Sequence, residues 1–530
     1  QFQTMLVIIV FGLVLHAEAL KIILYQPAFG HSHMQFSGKL VDILADAGHE
    51  VHMLIPEWNP ETTSDGTTRA VSSRRIKSSS HGVVFTQLDH IKDPYRMTVW
   101  RYLLKRDQLR AIVDISGEFC RLMVNDKDLI VWLRNEKFDA ALASIYDMCA
   151  SGLFHVANIK PVMGFIPTPA SSIIFSMFGI STPSSYTQDS LFPTGSGDVM
   201  NYWQRAKNLA IQYLLEYVTT PYVERMQHQV FTDKFGPSFP SLRSLLINFS
   251  YVFINSNELF ELPRPLSHKM IYVGGIALPK QKRLPEVYLK LFSEYPSAVL
   301  FSFGSLARTT LMPIEMKSAF IDAFAKFPHI LFIWKVDRGT ANDSFYTKAP
   351  NVFTVEWTPQ NDLLRSGHID AFITHAGLNS LSEAIFAGVP VISIPLFGDQ
   401  LYNAEIAKKR HIGYVISKWN VTVNNIVDAI KTILYDKSYS IKSKELSLML
   451  EKKPMKPSEM FLKYVEFAAE FKSVGEYLQL QSVNLNDIQL YSLDVIVPFL
   501  FCLLLFYYLS FLIAMRLFRC LRASFKTKRD

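Results

Sequence analysis

Between residues 357 and 400 the chain gathers the side chains with the clearest chemical use. An apolar run ends at Thr374, His375-Ala376-Gly377 follows, and from Asn379 to Ala387 the residues take helical spacing. That order predicts a strand, a tight turn and the first turn of a helix, where unpaired N–H groups and partial positive charge suit a diphosphate. Gly377 lets the backbone come close to such a group, with Asn379 and Ser380 at the helix start. His375 can donate to a phosphate oxygen without a metal. Glu383, one turn later, can accept from the two hydroxyls of a ribose. Upstream, Trp357 offers a flat face on which a base can stack, and Gln360 is placed for polar contact with a nucleoside. Asp399 and Gln400, after the next apolar run, can hydrogen-bond sugar hydroxyls. Singly, each residue has an ordinary structural use; as a set in register they point to a nucleotide-linked sugar.

The rest of the chain supplies elements to position them. Lys21 to Tyr25 is a strand candidate, Phe36 to Ala47 carries apolar residues at helical spacing, Gly48 stops that helix, and Val51 to Ile55 is the next strand. This βαβ unit implies a parallel sheet with right-handed crossover. Further strands are expected at 140–143, 161–165 and 251–255, with a Pro-, Ser- and aromatic-rich insertion over about 171–240. A linker follows Gly274-Gly275, with Pro279, Lys280, Lys282, Arg283 and Pro285. A second βα series then runs through 298–303, 314–327, 330–335, 352–355, 371–374, 379–387 and 389–394. The fold class is therefore α/β: two Rossmann-like parallel-sheet domains (20–280 and 281–445) face each other across a cleft, where ligands collect at the carboxyl ends of strands. Residues 446–490 read as polar helices packing back on this body.

The ends set the compartment. Leu6 to Leu15 followed by Ala17-Glu18-Ala19 has the length and small-x-small ending of a signal peptide (1–19), with a start at Met5 or further upstream both open. Val495 to Met515 holds no charge and suffices for one membrane-spanning helix. The tail 516–530 carries Arg516, Arg519, Arg522, Lys526, Lys528 and Arg529 against Asp530, so the positive-inside tendency makes it cytosolic and the body luminal. Asn248-Phe249-Ser250, Asn342-Asp343-Ser344 and Asn420-Val421-Thr422 are glycosylation acceptors upstream of the span. The closing Lys526-Thr527-Lys528-Arg529-Asp530 resembles a dilysine retrieval signal, which predicts residence in the endoplasmic reticulum as a type I single-pass protein. The formal charge of +7 with no basic runs interleaved with aromatics argues against nucleic acid. Of four cysteines, Cys120 and Cys149 lie in the body; one disulfide or two buried thiols fit equally, and no spacing suggests a metal site.

The stretch from Trp357-Thr358-Pro359-Gln360 through Phe372 to Ser380, with Glu383, Gly388, Pro390, Pro395 and Asp399-Gln400, resembles the UDP-glycosyltransferase signature at every diagnostic position. The likeness covers nearly the whole chain and is closest to animal UDP-glucuronosyltransferases. It implies a GT-B-like fold, an N-terminal acceptor half and a C-terminal UDP-sugar half. The implied activity is inverting transfer of a glycosyl group, glucuronosyl first and glucosyl as the alternative, to the hydroxyl of a small lipophilic acceptor such as a steroid, phenol or xenobiotic. No tightly bound cofactor is implied; the UDP-sugar is a co-substrate. Arg264 and Ser305 are further phosphate candidates by the same resemblance. A nucleotide-sugar-binding protein without catalysis is the competing class, and a homo-oligomer is compatible with either.

The family places its base, a histidine, between the first strand and the Gly-His that opens the second. His33 precedes His49 at the family's interval, so His33 is the expected base, with His31 its rival. An acid that fixes the histidine's tautomer and stabilises the imidazolium should follow the strand at 138–143, yet Ser144 stands there. Asp147 is the expected substitute; Asp139 lies at the wrong end of the strand.

Overall fold

The computed structural model describes residues 19–78, 93–96, 106–304, 307–340 and 344–526. Residues 1–18 of the expected signal peptide, Asn342, Ser305 and the last four residues of the tail therefore lie outside the described residues.

Two all-parallel sheets build the body. The first has the strand order β3-β2-β1-β4-β5-β6-β7. Its strands are β1 (Lys21–Tyr25), β2 (Glu50–Pro56), β3 (Ser72–Ile76), β4 (Ala140–Ser144), β5 (Val162–Ile166), β6 (Val252–Ile254) and β7 (Met270–Tyr272). Helix α1 (His31–Asp46) crosses from β1 to β2, which pair in register Lys21↔Glu50 to Tyr25↔Leu54. Every residue of β4 is buried, as a strand covered on both faces requires. Helices α2 (Arg106–Asn125) and α3 (Cys149–Val156) flank this sheet and are joined by a Cys120–Cys149 disulfide, which settles the choice that the cysteine count left open.

The second sheet has the order β10-β9-β8-β11-β12-β13. Its strands are β8 (Ser297–Ser302), β9 (Ile330–Lys335), β10 (Val352–Val355), β11 (Ile369–Thr374), β12 (Val391–Ser393) and β13 (Gly413–Val415). Helix α4 (Leu378–Ala387) follows β11, and α5 (Gln400–Lys409) follows β12. Around this sheet Phe301, Phe320, Phe324, Phe332 and Trp334 form an aromatic core, with Phe301 and Trp334 stacked at 4.5 Å.

The chain passes between the halves without a clean boundary. Phe260 and Leu262, which follow β6 of the first sheet, are buried in the core of the second half beside Tyr402 and Ile406 of α5. Arg410 donates to the carbonyls of Phe260 and Glu261 at 3.2 and 2.6 Å. In the other direction, helix α6 (Pro457–Glu470) returns Phe461 and Val465 to the core of the first half. The two sheets thus belong to one compact unit.

A second unit comprises residues 178–180 with 480–530. In it, helix α7 (Leu493–Lys526) holds a stretch, Leu493–Arg522, of mean hydropathy 2.5 that is long and apolar enough to cross a membrane. Pro498 stands inside this helix, where it removes the N–H that would otherwise bond the Asp494 carbonyl.

Candidate functional site

A cavity of about 1510 Å³ lies between the two sheets, and residues from both halves line it. From the second half come Lys335, Trp357, Gln360, His375, Gly377, Asn379, Ser380, Glu383, Asp399 and Gln400; from the first come His33, Tyr146, Asp147 and Thr168. His33 and His375, far apart in sequence, thus share one cavity.

The second half's wall is built at the carboxyl ends of its strands. β11 ends at Thr374, and Ala376 then takes a left-handed backbone at φ 61°, which a side chain adopts only at a cost of about 1–3 kcal/mol. Asn403 on α5 latches this turn, donating to the Ala376 carbonyl at 3.0 Å. The turn carries the His375 ring between Gly304 and Gly377. A Cβ would fall 2.8 Å from the ring at the first and 2.5 Å at the second, so only glycine leaves room on either side. Gly377 opens α4 and no side chain caps that helix, which leaves the N–H groups of its first turn facing the cavity. Burial, then the Lys335 ammonium, pulls the His375 imidazole down to about 4, so the ring is neutral at physiological pH. Its Nδ1 is buried with no hydrogen-bond partner among the described residues.

Around this turn the polar side chains are tied to one another. Gln360 donates to Glu383 Oε2 at 2.6 Å and to Ser380 Oγ at 3.2 Å. Burial pushes the Glu383 carboxyl up to about 7, against the bond from Gln360. Asp399 accepts from Asn403 Nδ2 at 2.9 Å, and burial raises it to about 6. Gln400 Oε1 accepts from the Leu396 and Phe397 N–H groups at 2.8 and 3.1 Å, so that carbonyl holds the turn after β12. Trp357 is 70% exposed and presents its indole to the cavity, with Lys335 Nζ 5.2 Å from the ring. Lys335, the last residue of β9, also donates to the Gly304 carbonyl at 2.8 Å. Sequence reading did not single out Lys335 or Asn403. A lysine ending an apolar strand, and an asparagine one turn after Asp399, were the available signals.

Arg264 departs from expectation. It does not line the cavity: its guanidinium sits 5.0 Å from the Phe175 ring and 5.6 Å from that of Tyr402, and donates to the Tyr402 hydroxyl. Tyr402 in turn donates to Glu261. These groups join the segment after β6 to α5, and the structure does not bring Arg264 to the residues that line the cavity.

The first half's wall differs from expectation at the acid. His33, on the first turn of α1, places Nε2 3.0 Å from the Tyr146 hydroxyl, which is 3.1 Å from Thr168 Oγ1. Asp147 is turned elsewhere: its Oδ2 accepts from Tyr25 Oη at 2.8 Å and its Oδ1 from the Cys149 N–H at 3.0 Å. Those bonds fix the turn between β4 and α3 and leave Asp147 no contact with His33. Burial raises Asp147 to about 7. Ser144 is fully buried at the end of β4 and its hydroxyl has no partner among the described residues. Burial alone lowers His33 to about 4, so it too is neutral and able to accept a proton. The rival His31 is exposed at the mouth of the same cavity. Among the described residues no cluster of three or more His, Cys, Asp or Glu could hold a metal ion.

The family model for "UDP-glucoronosyl and UDP-glucosyl transferase" matches residues 21–529. The chain is similar to human UDP-glucuronosyltransferase 3A1, at 29% identity over 483 residues that cover 88% of this chain and 87% of that one. Among solved structures it resembles the glycotransferase of kitacinnamycin, with a TM-score of 0.58 at 17% identity, covering 86% of this chain and 98% of that one. It also resembles the UDP-glucose: anthocyanidin 3-O-glucosyltransferase in complex with UDP, with a TM-score of 0.54 at 15% identity over 86% of this chain and all of that one. These likenesses establish the two-domain GT-B fold.

Proposed function

The chain belongs to the family of UDP-glucuronosyl and UDP-glucosyl transferases, and from that premise we propose that it transfers glucuronate from its UDP ester to the hydroxyl of a small lipophilic acceptor, with inversion. The observation that carries this is the meeting of His33 with the 357–400 set in one cavity. In this reading the uracil stacks on Trp357 and the nucleoside meets Gln360. Glu383 accepts from the ribose hydroxyls, and the diphosphate lies against His375 and the start of α4, with Asn379 and Ser380 beside it. Asp399 and Gln400 reach the sugar. The acceptor oxygen attacks the anomeric carbon opposite the departing UDP, and its proton goes to neutral His33. Positioning and the fixed donors at the diphosphate supply most of the rate gain.

The same reading puts the body in the lumen of the endoplasmic reticulum, anchored by α7. Its support is the apolar stretch Leu493–Arg522, the Cys120–Cys149 disulfide, and the exposure of the glycosylation candidates Asn248 and Asn420. Membranes carrying the full chain, incubated with UDP-glucuronate or UDP-glucose and a simple phenol, test the proposal. Release of UDP with a phenyl β-glucuronide as product is expected. Release with UDP-glucose alone would replace the donor, and UDP-sugar binding without release from either would end the catalytic reading.

A further inference from the structure

The surroundings of His33 bear on which acceptors the site takes. Its hydrogen-bond partners among the described residues are neutral hydroxyls: Tyr146 at 3.0 Å from Nε2, backed by Thr168 at 3.1 Å, and Ser32 Oγ at 3.4 Å from Nδ1. Among the described residues no carboxylate is hydrogen-bonded to the ring. The nearest candidate in sequence, Asp147, spends its oxygens on Tyr25 and the Cys149 N–H. Burial, and to a lesser degree Asp399 on the opposite wall, pushes the Tyr146 hydroxyl further from ionising, and His31 faces solvent on the same helix as His33. Two rings flank the base: Phe29 lies edge-on to His33 at 5.2 Å and stacks with Tyr146 at 6.3 Å. Phe29 also lies edge-on to Trp58 at 6.5 Å, so rings line this end of the cavity, and Ile174 and Met177 add apolar surface elsewhere to the first half's lining.

A histidine that takes a proton becomes an imidazolium. A carboxylate partner offsets that charge, whereas a hydroxyl orients the ring and offsets little. Burial already disfavours the charged ring here. Such a base is weak, so proton transfer depends more heavily on the acidity of the group that gives the proton up.

We infer that the site is built for acceptors whose hydroxyl is acidic in its own right, phenols rather than alkanols, with Tyr146 and Thr168 as the residues that position His33 for them. This rests on the transferase reading above. In the step, the acceptor oxygen forms its bond to the anomeric carbon, the bond from that carbon to the β-phosphate oxygen breaks with its electron pair leaving on UDP, and the acceptor proton ends on the His33 ring. The apolar, ring-lined end of the cavity suits the flat body of a phenol.

The test uses the full chain in membranes with a series of para-substituted phenols of graded acidity and an alkanol of matched bulk, cyclohexylmethanol. Turnover should rise with phenol acidity, and the alkanol should react at least about 100-fold more slowly than phenol, the lower end of what general-base assistance contributes. Tyr146→Phe should lower kcat and steepen the dependence on acceptor acidity while the KM for UDP-sugar stays put; Thr168→Val should do the same more weakly. UDP binding checks that both variants fold. Equal rates for alkanol and phenol, or a flat response to acidity, would overturn the acceptor class and leave the transferase reading intact. An unchanged kcat and slope in Tyr146→Phe would remove the positioning role. No transfer to any acceptor from either donor would instead remove the transferase reading, and this inference with it.

Discussion

The two walls of the cavity solve different problems. On the second half, nearly every polar group is already bonded to another protein group: Gln360 to Glu383 and Ser380, Asn403 to Asp399 and the Ala376 carbonyl, Gln400 to the turn after β12. These side chains are held before any ligand arrives, so little rearrangement is needed to bind it. On the first half, His33 and its hydroxyl partners sit beside the rings of Phe29 and Trp58, and Ile174 and Met177 line the same cavity. Apolar contacts fix shape without fixing direction, and they tolerate a range of ligands. A donor constant in structure suits the first kind of wall, and acceptors that vary suit the second.

Removing the base breaks this comparison most severely. His33→Ala should reduce turnover by roughly 100- to 10,000-fold, the usual worth of a positioned general base, while UDP affinity by calorimetry stays within about twofold. A matching loss of UDP affinity would show that the two walls are not separate in function.

A smaller effect is expected from one methyl group on the other wall. In Gly377→Ala the new Cβ would lie 2.5 Å from His375 Nε2, so the ring must leave its slot. Loss of one good hydrogen bond to a charged ligand costs about 1.5–3 kcal/mol, which is roughly a 10- to 150-fold rise in the Kd for UDP. With saturating donor, turnover should recover much of its value. The backbone at Gly377 is not strained, at φ −60°, so the protein should fold as well as the parent, and a thermal melt checks it.

The contrast between the walls also explains what could be read from the chain. The second half's wall comes largely from one stretch, 357–400, in which strand, turn and helix follow in order, so side-chain spacing alone conveys geometry. Its missed members, Lys335 and Asn403, come from β9 outside that stretch and from the second turn of α5. The first half's wall is assembled from positions such as 33, 146 and 168, whose proximity depends on β1, β4 and β5 lying side by side. No local pattern announces that Tyr146 rather than Asp147 faces His33, because one residue of rotation after β4 decides it. The two parallel sheets were legible from the alternation of strand and helix. β3, β7 and β13 were not: Ser72–Ile76 is polar, and the other two are three residues long, too short for any period to show. All three lie at the sheet edges. Arg264 shows the limit of resemblance. Its charge suited a phosphate, but the chain after β6 carries it into the joint with α5, where rings and a hydroxyl receive it.

The finest test concerns the proton on Glu383. Its folded pKa, about 7, is raised above the ordinary 4.5 by burial. A raised carboxyl favours the folded state when protonated, so its contribution is fully present below about 4.5 and is lost as pH climbs through about 7. His33 and His375, both lowered to about 4, act in the opposite sense, their contribution being present above about 6.5 and lost as pH falls toward 4. A single melting profile therefore mixes the two. Comparing the parent with Glu383→Gln separates them, since the histidines are common to both and Gln can still accept from Gln360. The midpoint of the variant, less that of the parent, should grow by on the order of 1–2 °C between pH 5 and pH 8 and then level off. Ribose hydroxyls donating to Glu383 favour its ionised form, so in the parent the affinity for UDP-glucose, whose esterified diphosphate has no proton to lose in this window, should rise with pH, by no more than about tenfold per pH unit for one linked proton. In Glu383→Gln that rise should vanish. If the parent's affinity for UDP-glucose is already flat between pH 5 and 7, Glu383 does not meet the ribose.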